Sequence, residues 1–156
     1  MNCILTQRRK ILSEENKALA HRFHMDIFQH GNLAAVDQLI SPNFVWHAPA
    51  TPPEWVQGPA GVRRAATELR AAYPDLDFTH EDTLAEGDQV MIRWIMRGTH
   101  NGPLMGIPAT GKAVTVAGID VFRIAGGQIV ELWQHFDQLG MLQQLGVIPT
   151  PEQPGS

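Results

Sequence analysis

Cysteine is nearly missing from this sequence. Cys3 is the only one in 156 residues, so no intrachain disulfide can form and a cysteine-based zinc site is not expected. Charge is sparse too. The net charge is −4, and no run of Lys and Arg concentrates on one segment. That argues against nucleic acid or an anionic membrane surface as the main partner. Arg63, Arg64 and Arg70 fall in one predicted helix, where three cations read as a solvated face. No apolar run approaches the roughly 18 residues of a membrane span. The opening MNCILTQRRK has neither a long apolar core nor a small-residue cleavage site, so no secretory signal is expected. The expectation is a cytoplasmic protein with a polar, mobile start. No GxSxG, phosphate loop or dinucleotide fingerprint is present.

What remains is an ordinary globular composition, 44% apolar and 18% charged. The length fits one domain over residues 1–156, with a core at about 14–147 and flexible termini. Ser13 is a predicted helix cap, followed by Leu19, Phe23, Ile27 and Phe28 at helical spacing and a glycine stop at Gly31. A short helix over Leu33–Ile40, a strand over Asn43–His47 and a helix after Gly58-Pro59 follow. The period then changes to two. Strands are predicted over 76–84, 89–100, 113–124 and 128–136, with Gly87 and Gly126-Gly127 at turns and a helical turn over 139–145. Helices first and strands after give an α+β fold, a curved sheet packed against N-terminal helices. A cavity between the concave face and the helices is the expected small-molecule site.

Alternation sorts the polar residues. Val114, Val116, Gly118, Asp120 and Phe122 share one face of a strand, so Asp120 is a carboxylate among apolar neighbours. Burial raises a carboxylate's pKa and prepares it for acid/base work. A strand-end Asp bonded to backbone or solvent is the alternative. The stretch ELWQHFD divides the same way: Val130, Leu132, Gln134 and Phe136 on one face, Glu131, Trp133, His135 and Asp137 on the other. The aromatic second face suits a subunit contact. Trp46 and His47 stand beside a proline-rich loop, at a cavity mouth or simply at the surface. His24 lies at the margin of a buried helix face. His21 and His24 find no carboxylate that completes a ligand motif, so no metal is expected. His80 and His100 cannot be placed without a fold.

Six stretches together carry a family resemblance: HGNLAAVDQLISPNFVWH, GPAGV with AAYPDLDF, AEGDQVMIRWIMRGTHNG, LMGIPATGK, GIDVFRIAGGQIVELWQHFD and LGMLQQLG. In order and spacing the chain resembles the SnoaL-like polyketide cyclases, within the nuclear-transport-factor-2-like superfamily of cone-shaped, cystatin-like α+β folds. The resemblance implies an apolar pocket in the cone, a homodimer built through the sheets, and an intramolecular aldol reaction with no cofactor and no metal. It also implies an acid/base aspartate on the last strand, a position that holds Gln134 here. The neighbouring position, commonly His in those cyclases, holds Asp120. A glutamine amide cannot exchange protons near neutrality, but it can donate to a carbonyl or enolate oxygen. The expected activity is therefore that of a cofactor-independent lyase, isomerase or cyclase acting on an apolar carbonyl compound, with Asp120 as acid/base and Gln134 and His47 orienting the substrate. Trp46, Trp94, His24, His100, Phe122, Leu132 and Phe136 are the expected pocket. Hydrolase or dehydratase chemistry in the same cavity, and a non-catalytic binding protein, are the alternatives. Asp120 facing His47 or His100 would favour catalysis.

Overall fold

Good helix formers, with no glycine or proline among them, run from Asn2 to Arg22, and the whole stretch forms one helix, α1. Ser13 is therefore mid-helix, not a cap. The helix's later turns pack on the core, and its earlier turns continue into solvent with Cys3, Ile4, Leu5, Ile11 and Leu12 exposed. These are the residues of a computed structural model, which describes 2–49 and 51–152. The predicted flexible tail is an irregular segment as far as Glu152, and its last four residues lie outside the described part.

At Phe23 the helix widens. Phe23–Gln29 is a π-type segment, closed by the His30 N–H donating to the Met25 carbonyl five residues back. Phe23, His24, Ile27 and Phe28 are its buried residues. Gly31 then turns the chain at φ +68°, where L-residues rarely go. A short 3₁₀ turn, Leu33–Ala35, leads to α2, Val36–Leu39. β1 is Ile40–His47, starting earlier than the pattern suggested. A turn at Pro53–Trp55 precedes α3, Gly58–Ala72. Four strands complete the sheet: β2 Asp77–Glu86, β3 Gln89–Thr99, β4 Ala113–Ala125 and β5 Gln128–Phe136. Asp137 caps the last helix, α4 (Gln138–Gln144), by accepting from the Gly140 N–H.

The sheet order is β1-β5-β4-β3-β2, with β1 parallel to β5 and every other pair antiparallel. The architecture is α+β, with helices packed on one face of a mixed sheet. The core between them holds Phe23, Ile27, Phe44, Ile92, Phe122, Ile129 and Leu132, all essentially inaccessible to solvent. Two bulges re-aim side chains. In β5 the register slips between Ile129 and Glu131, so Val130 is the extra residue. Ile129 takes the buried place that strict alternation assigned to Val130. In β2 the slip falls between His80 and Asp82. Glu81 and Asp82 then both reach Arg93, while His80 and Thr83 stay on the helix side. No helix among the described residues is long and apolar enough to cross a membrane.

Gly118 has a packing reason. It pairs with Trp94 across the β3–β4 ladder, and a Cβ there would lie 2.2 Å from Trp94 Cζ2. The indole therefore lies flat over the glycine. Gly118→Ala is expected to lower stability by about 1–3 kcal/mol through overpacking, read as an earlier urea midpoint with altered tryptophan fluorescence. An unchanged midpoint would show that the indole has another place to go.

Candidate active site

A small apolar cavity opens between the helices and the sheet. Its walls are mostly aromatic and sulfur-bearing: Phe23, Phe28, Trp46, Phe78, Trp94 and Phe136, with Met96, Met105 and Met141. His24 is the one titratable residue in that lining and Gln134 the one amide. Both touch Asp120, which sits immediately behind them with no solvent exposure.

The Asp120 contacts follow from the register. Asp120 and Gln134 face each other directly across β4 and β5, so the amide reaches the carboxylate, Nε2 to Oδ2 at 3.3 Å. From the helix side His24 Nε2 meets the same oxygen at 2.9 Å. The other carboxylate oxygen, Oδ1, has no partner among the described residues. An orphaned buried acceptor is costly, and such atoms in native proteins call for an explanation.

His24 is held on every side. Its ring stacks on Phe78 at 4.7 Å and 7°, and its Nδ1 lies 2.9 Å from His80 Nε2. His80 in turn packs against His21, ring centroids 4.5 Å apart, and His21 bonds Thr83 Oγ1 at 2.7 Å. A carboxylate can only accept, so with Asp120 ionised the His24 Nε2–H donates to it. With His24 neutral, its Nδ1 then accepts from the His80 Nε2–H. The result is a hydrogen-bonded chain from the buried carboxylate, through His24, to the half-buried His80. Burial first, then the neighbouring His24 and His21, pushes His80 down to about 4. Burial, followed by His24 and Lys17, also lowers His21.

Two further buried polar atoms belong to residues of the lining: Trp46 Nε1 and Trp94 Nε1 are donors with no acceptor among the described residues.

The expected pocket is thus partly assembled. His24, Trp46, Trp94, Gln134 and Phe136 line it. His47 does not. It follows Trp46 on a strand, so it points to the opposite face. There it bonds Glu131 at 2.8 Å and stacks on Trp133 at 5.2 Å. Glu131, held also by Arg123, is kept below its ordinary range by those two partners, Arg123 first. Phe122 and Leu132 lie beneath the lining as core, with Phe122 edge-on to Phe23 and His24. His100 borders a separate hollow beside α4. Asp120 accordingly meets His24, not His47 or His100. The sequence reading did not bring His80 and His21 to the site: His80 is aimed by the β2 bulge, and His21 meets it only where α1 packs on β2. The consecutive polar pair Glu81-Asp82, which breaks the strand's alternation, was the available signal.

The histidine chain has a pH signature. His80 binds its proton more weakly folded than unfolded, so the unfolded chain takes up the extra proton first. The stability contributed by neutral His80 is present above the ordinary value near 6.5 and is lost as pH falls toward about 4. The urea midpoint should therefore drop over that window, and His80→Gln should remove part of the drop. A variant with the wild-type pH dependence would contradict the assignment.

Comparison with known proteins agrees with this architecture. The model of the SnoaL-like polyketide cyclases matches residues 18–145. The chain is 32% identical over 117 residues to aklanonic acid methyl ester cyclase DnrD of Streptomyces peucetius, covering 74% of this chain and 77% of that one. It is 28% identical over 130 residues to the nogalonic acid methyl ester cyclase of Streptomyces nogalater, covering 82% and 95%. Among solved structures, a protein from Acidithiobacillus ferrooxidans assigned as a polyketide cyclase superposes with a TM-score of 0.74 at 33% identity, covering 85% of this chain and 95% of that one. With the family model spanning most of the chain and its curated relatives matched over most of their length, the chain belongs to the SnoaL-like polyketide cyclase family.

Proposed function

We propose that the protein is a cofactor-independent cyclase that closes a ring in an apolar, polyketide-type carbonyl compound by an intramolecular aldol reaction. The observation that carries this reading is the buried Asp120 carboxylate. One of its oxygens is fixed by His24 and Gln134, the other is unpartnered, and both fixing residues line the cavity. The named relatives suggest the substrate class, since they are cyclases of aklanonic acid methyl ester and of nogalonic acid methyl ester.

The chemistry balances without another reactant. Asp120 Oδ1 removes a proton from a carbon activated by adjacent carbonyls. The enolate carbon attacks a second carbonyl within the same molecule, forming one C–C bond and an alkoxide. The alkoxide takes the proton back from Asp120, so product and substrate are isomers. In this reading the second amide N–H of Gln134, and the Trp46 and Trp94 N–H groups, donate to enolate and carbonyl oxygens as charge develops. His24 acts through Asp120. It holds Oδ2, and the carboxylate's basicity depends on it. Apolar walls exclude water, which protects the enolate and strengthens each of these hydrogen bonds.

The outer sheet face, with Ile119 46% exposed beside Trp133 and His135, is the surface proposed for a homodimer.

The test is turnover of aklanonic acid methyl ester. Asp120→Asn keeps the shape and removes the base, and should cost about 10²–10⁴-fold in kcat with an unchanged circular dichroism spectrum. His24→Gln should cost less, because Oδ1 survives. Full activity in Asp120→Asn would overturn the assignment. Tight binding by the wild type without conversion would make the protein a carrier or sensor.

A further inference from the structure

The first half of α1 carries apolar side chains that the core does not use. Ile4, Leu5, Ile11 and Leu12 are 68%, 56%, 52% and 52% exposed, and every residue over 3–12 is exposed. Asn16 and Ala20 are the buried residues of α1, and Phe23, His24 and Ile27 continue that side into the π-type segment. The four exposed residues are two adjacent pairs seven apart, and Ala18-Leu19 continues the series. At about 3.6 residues per turn, positions seven apart stack along one stripe of a helix. A single exposed leucine needs no explanation, whereas a stripe three pairs long marks a contact.

Two charges inside the stripe say what it meets. Three and four residues from Arg8, on either side, stand Ile4, Leu5, Ile11 and Leu12. Around Glu15 the same spacings hold Ile11, Leu12, Ala18 and Leu19. Each charge therefore sits in the middle of the apolar stripe, with no opposite charge at the spacing where helical neighbours meet. Glu14, on another side of the helix, does have such a neighbour in Lys17 at 3.2 Å. Arg8 and Glu15 are equally far from the midpoint between Ile11 and Leu12. A second α1 laid antiparallel about that midpoint sets Arg8 opposite Glu15 and Glu15 opposite Arg8. It also sets Ile11 on Leu12, with Ile4 and Leu5 against Leu19 and Ala18. The stripe is complementary to itself under a two-fold axis, as an isologous contact requires. A lipid surface does not answer it. A membrane-facing helix keeps its charges on its polar face, and the Glu15 carboxylate would be pressed among acyl chains.

We propose that this stripe of α1 is a self-association surface, pairing antiparallel with α1 of a second copy through Ile4, Leu5, Ile11 and Leu12 and two reciprocal Arg8–Glu15 ion pairs. The proposal goes beyond the cyclase reading and does not rest on it. α1 lies on the helix side of the sheet with this stripe turned to solvent, so the contact is separate from the outer sheet face proposed for the homodimer. Used together, the two contacts join dimers into larger assemblies.

Sedimentation velocity of the full chain over a concentration series tests this, run also in an Ile119→Lys background that removes the sheet contact. The wild-type stripe should give a reversible association step in both. Arg8→Glu sets like charges opposite each other at both ends of the contact and should weaken the step about tenfold. Glu15→Arg should do the same, and the two together should restore it. Ile11→Gln with Leu12→Gln should abolish the step while the circular dichroism spectrum stays unchanged, since both positions are exposed. No step in the wild type, an unweakened step in Arg8→Glu, or a double charge swap no better than its parents overturns the proposal. Binding of the wild type to phosphatidylglycerol vesicles, lost in the Ile11/Leu12 variant and without any self-association step, would assign the stripe to a membrane and overturn it too.

Discussion

The structure is organised around one carboxylate held out of water. Asp120 has no solvent exposure, and among the described residues two side chains, His24 and Gln134, bond it, both at one oxygen. Keeping it there requires elements from across the chain. β4 and β5 must run in register so that Gln134 lies opposite. The first helix must widen at Phe23 so that His24 reaches down. β2 must bulge so that His80 braces His24 from behind. The last two are local departures from ideal geometry, and they converge on one group. Such departures are tolerated where function offsets their cost.

The exchange of residues between strands is the second point. The family resemblance puts the acid on the last strand and a polar partner beside it. Here the amide is on the last strand and the acid on its neighbour. Directly paired antiparallel positions lie about 5 Å apart, so Asp120 and Gln134 keep the carboxylate within one residue's reach of the same cavity wall. What changes is the support. The carboxylate now finds its imidazole on the helix, at His24, and that histidine draws in His80 and His21.

Much of the fold was legible because its determinants are local. Alternation placed Asp120 among Val114, Val116 and Phe122 on a buried face, and the glycines at 87, 126 and 127 marked the turns that the chain takes. The same alternation, applied to β1, should have excluded His47, since Trp46 and His47 cannot face one way. The misses involve tertiary geometry. The bulge at Val130 shifts one face by a residue. His80 faces inward only because Glu81 is accommodated outside the ladder. The helix starts at Asn2, and no glycine or proline before Ser13 stops it. Proximity in sequence also misled at ELWQHFD, whose polar residues go to separate tasks. Glu131 holds His47 outside, Gln134 bonds Asp120 inside, and Asp137 caps the helix that closes the cavity.

The central claim is that the free oxygen of Asp120 meets the reacting carbon of a ligand in the aromatic cavity. A crystal structure of the Asp120→Asn protein with aklanonic acid methyl ester tests it most directly. The account predicts the acidic carbon within about 3.5 Å of the side-chain atom at the Oδ1 position, with ligand oxygens on the Trp46 or Trp94 N–H. A ligand seated in the cavity with position 120 still sealed behind His24 and Gln134 would contradict it.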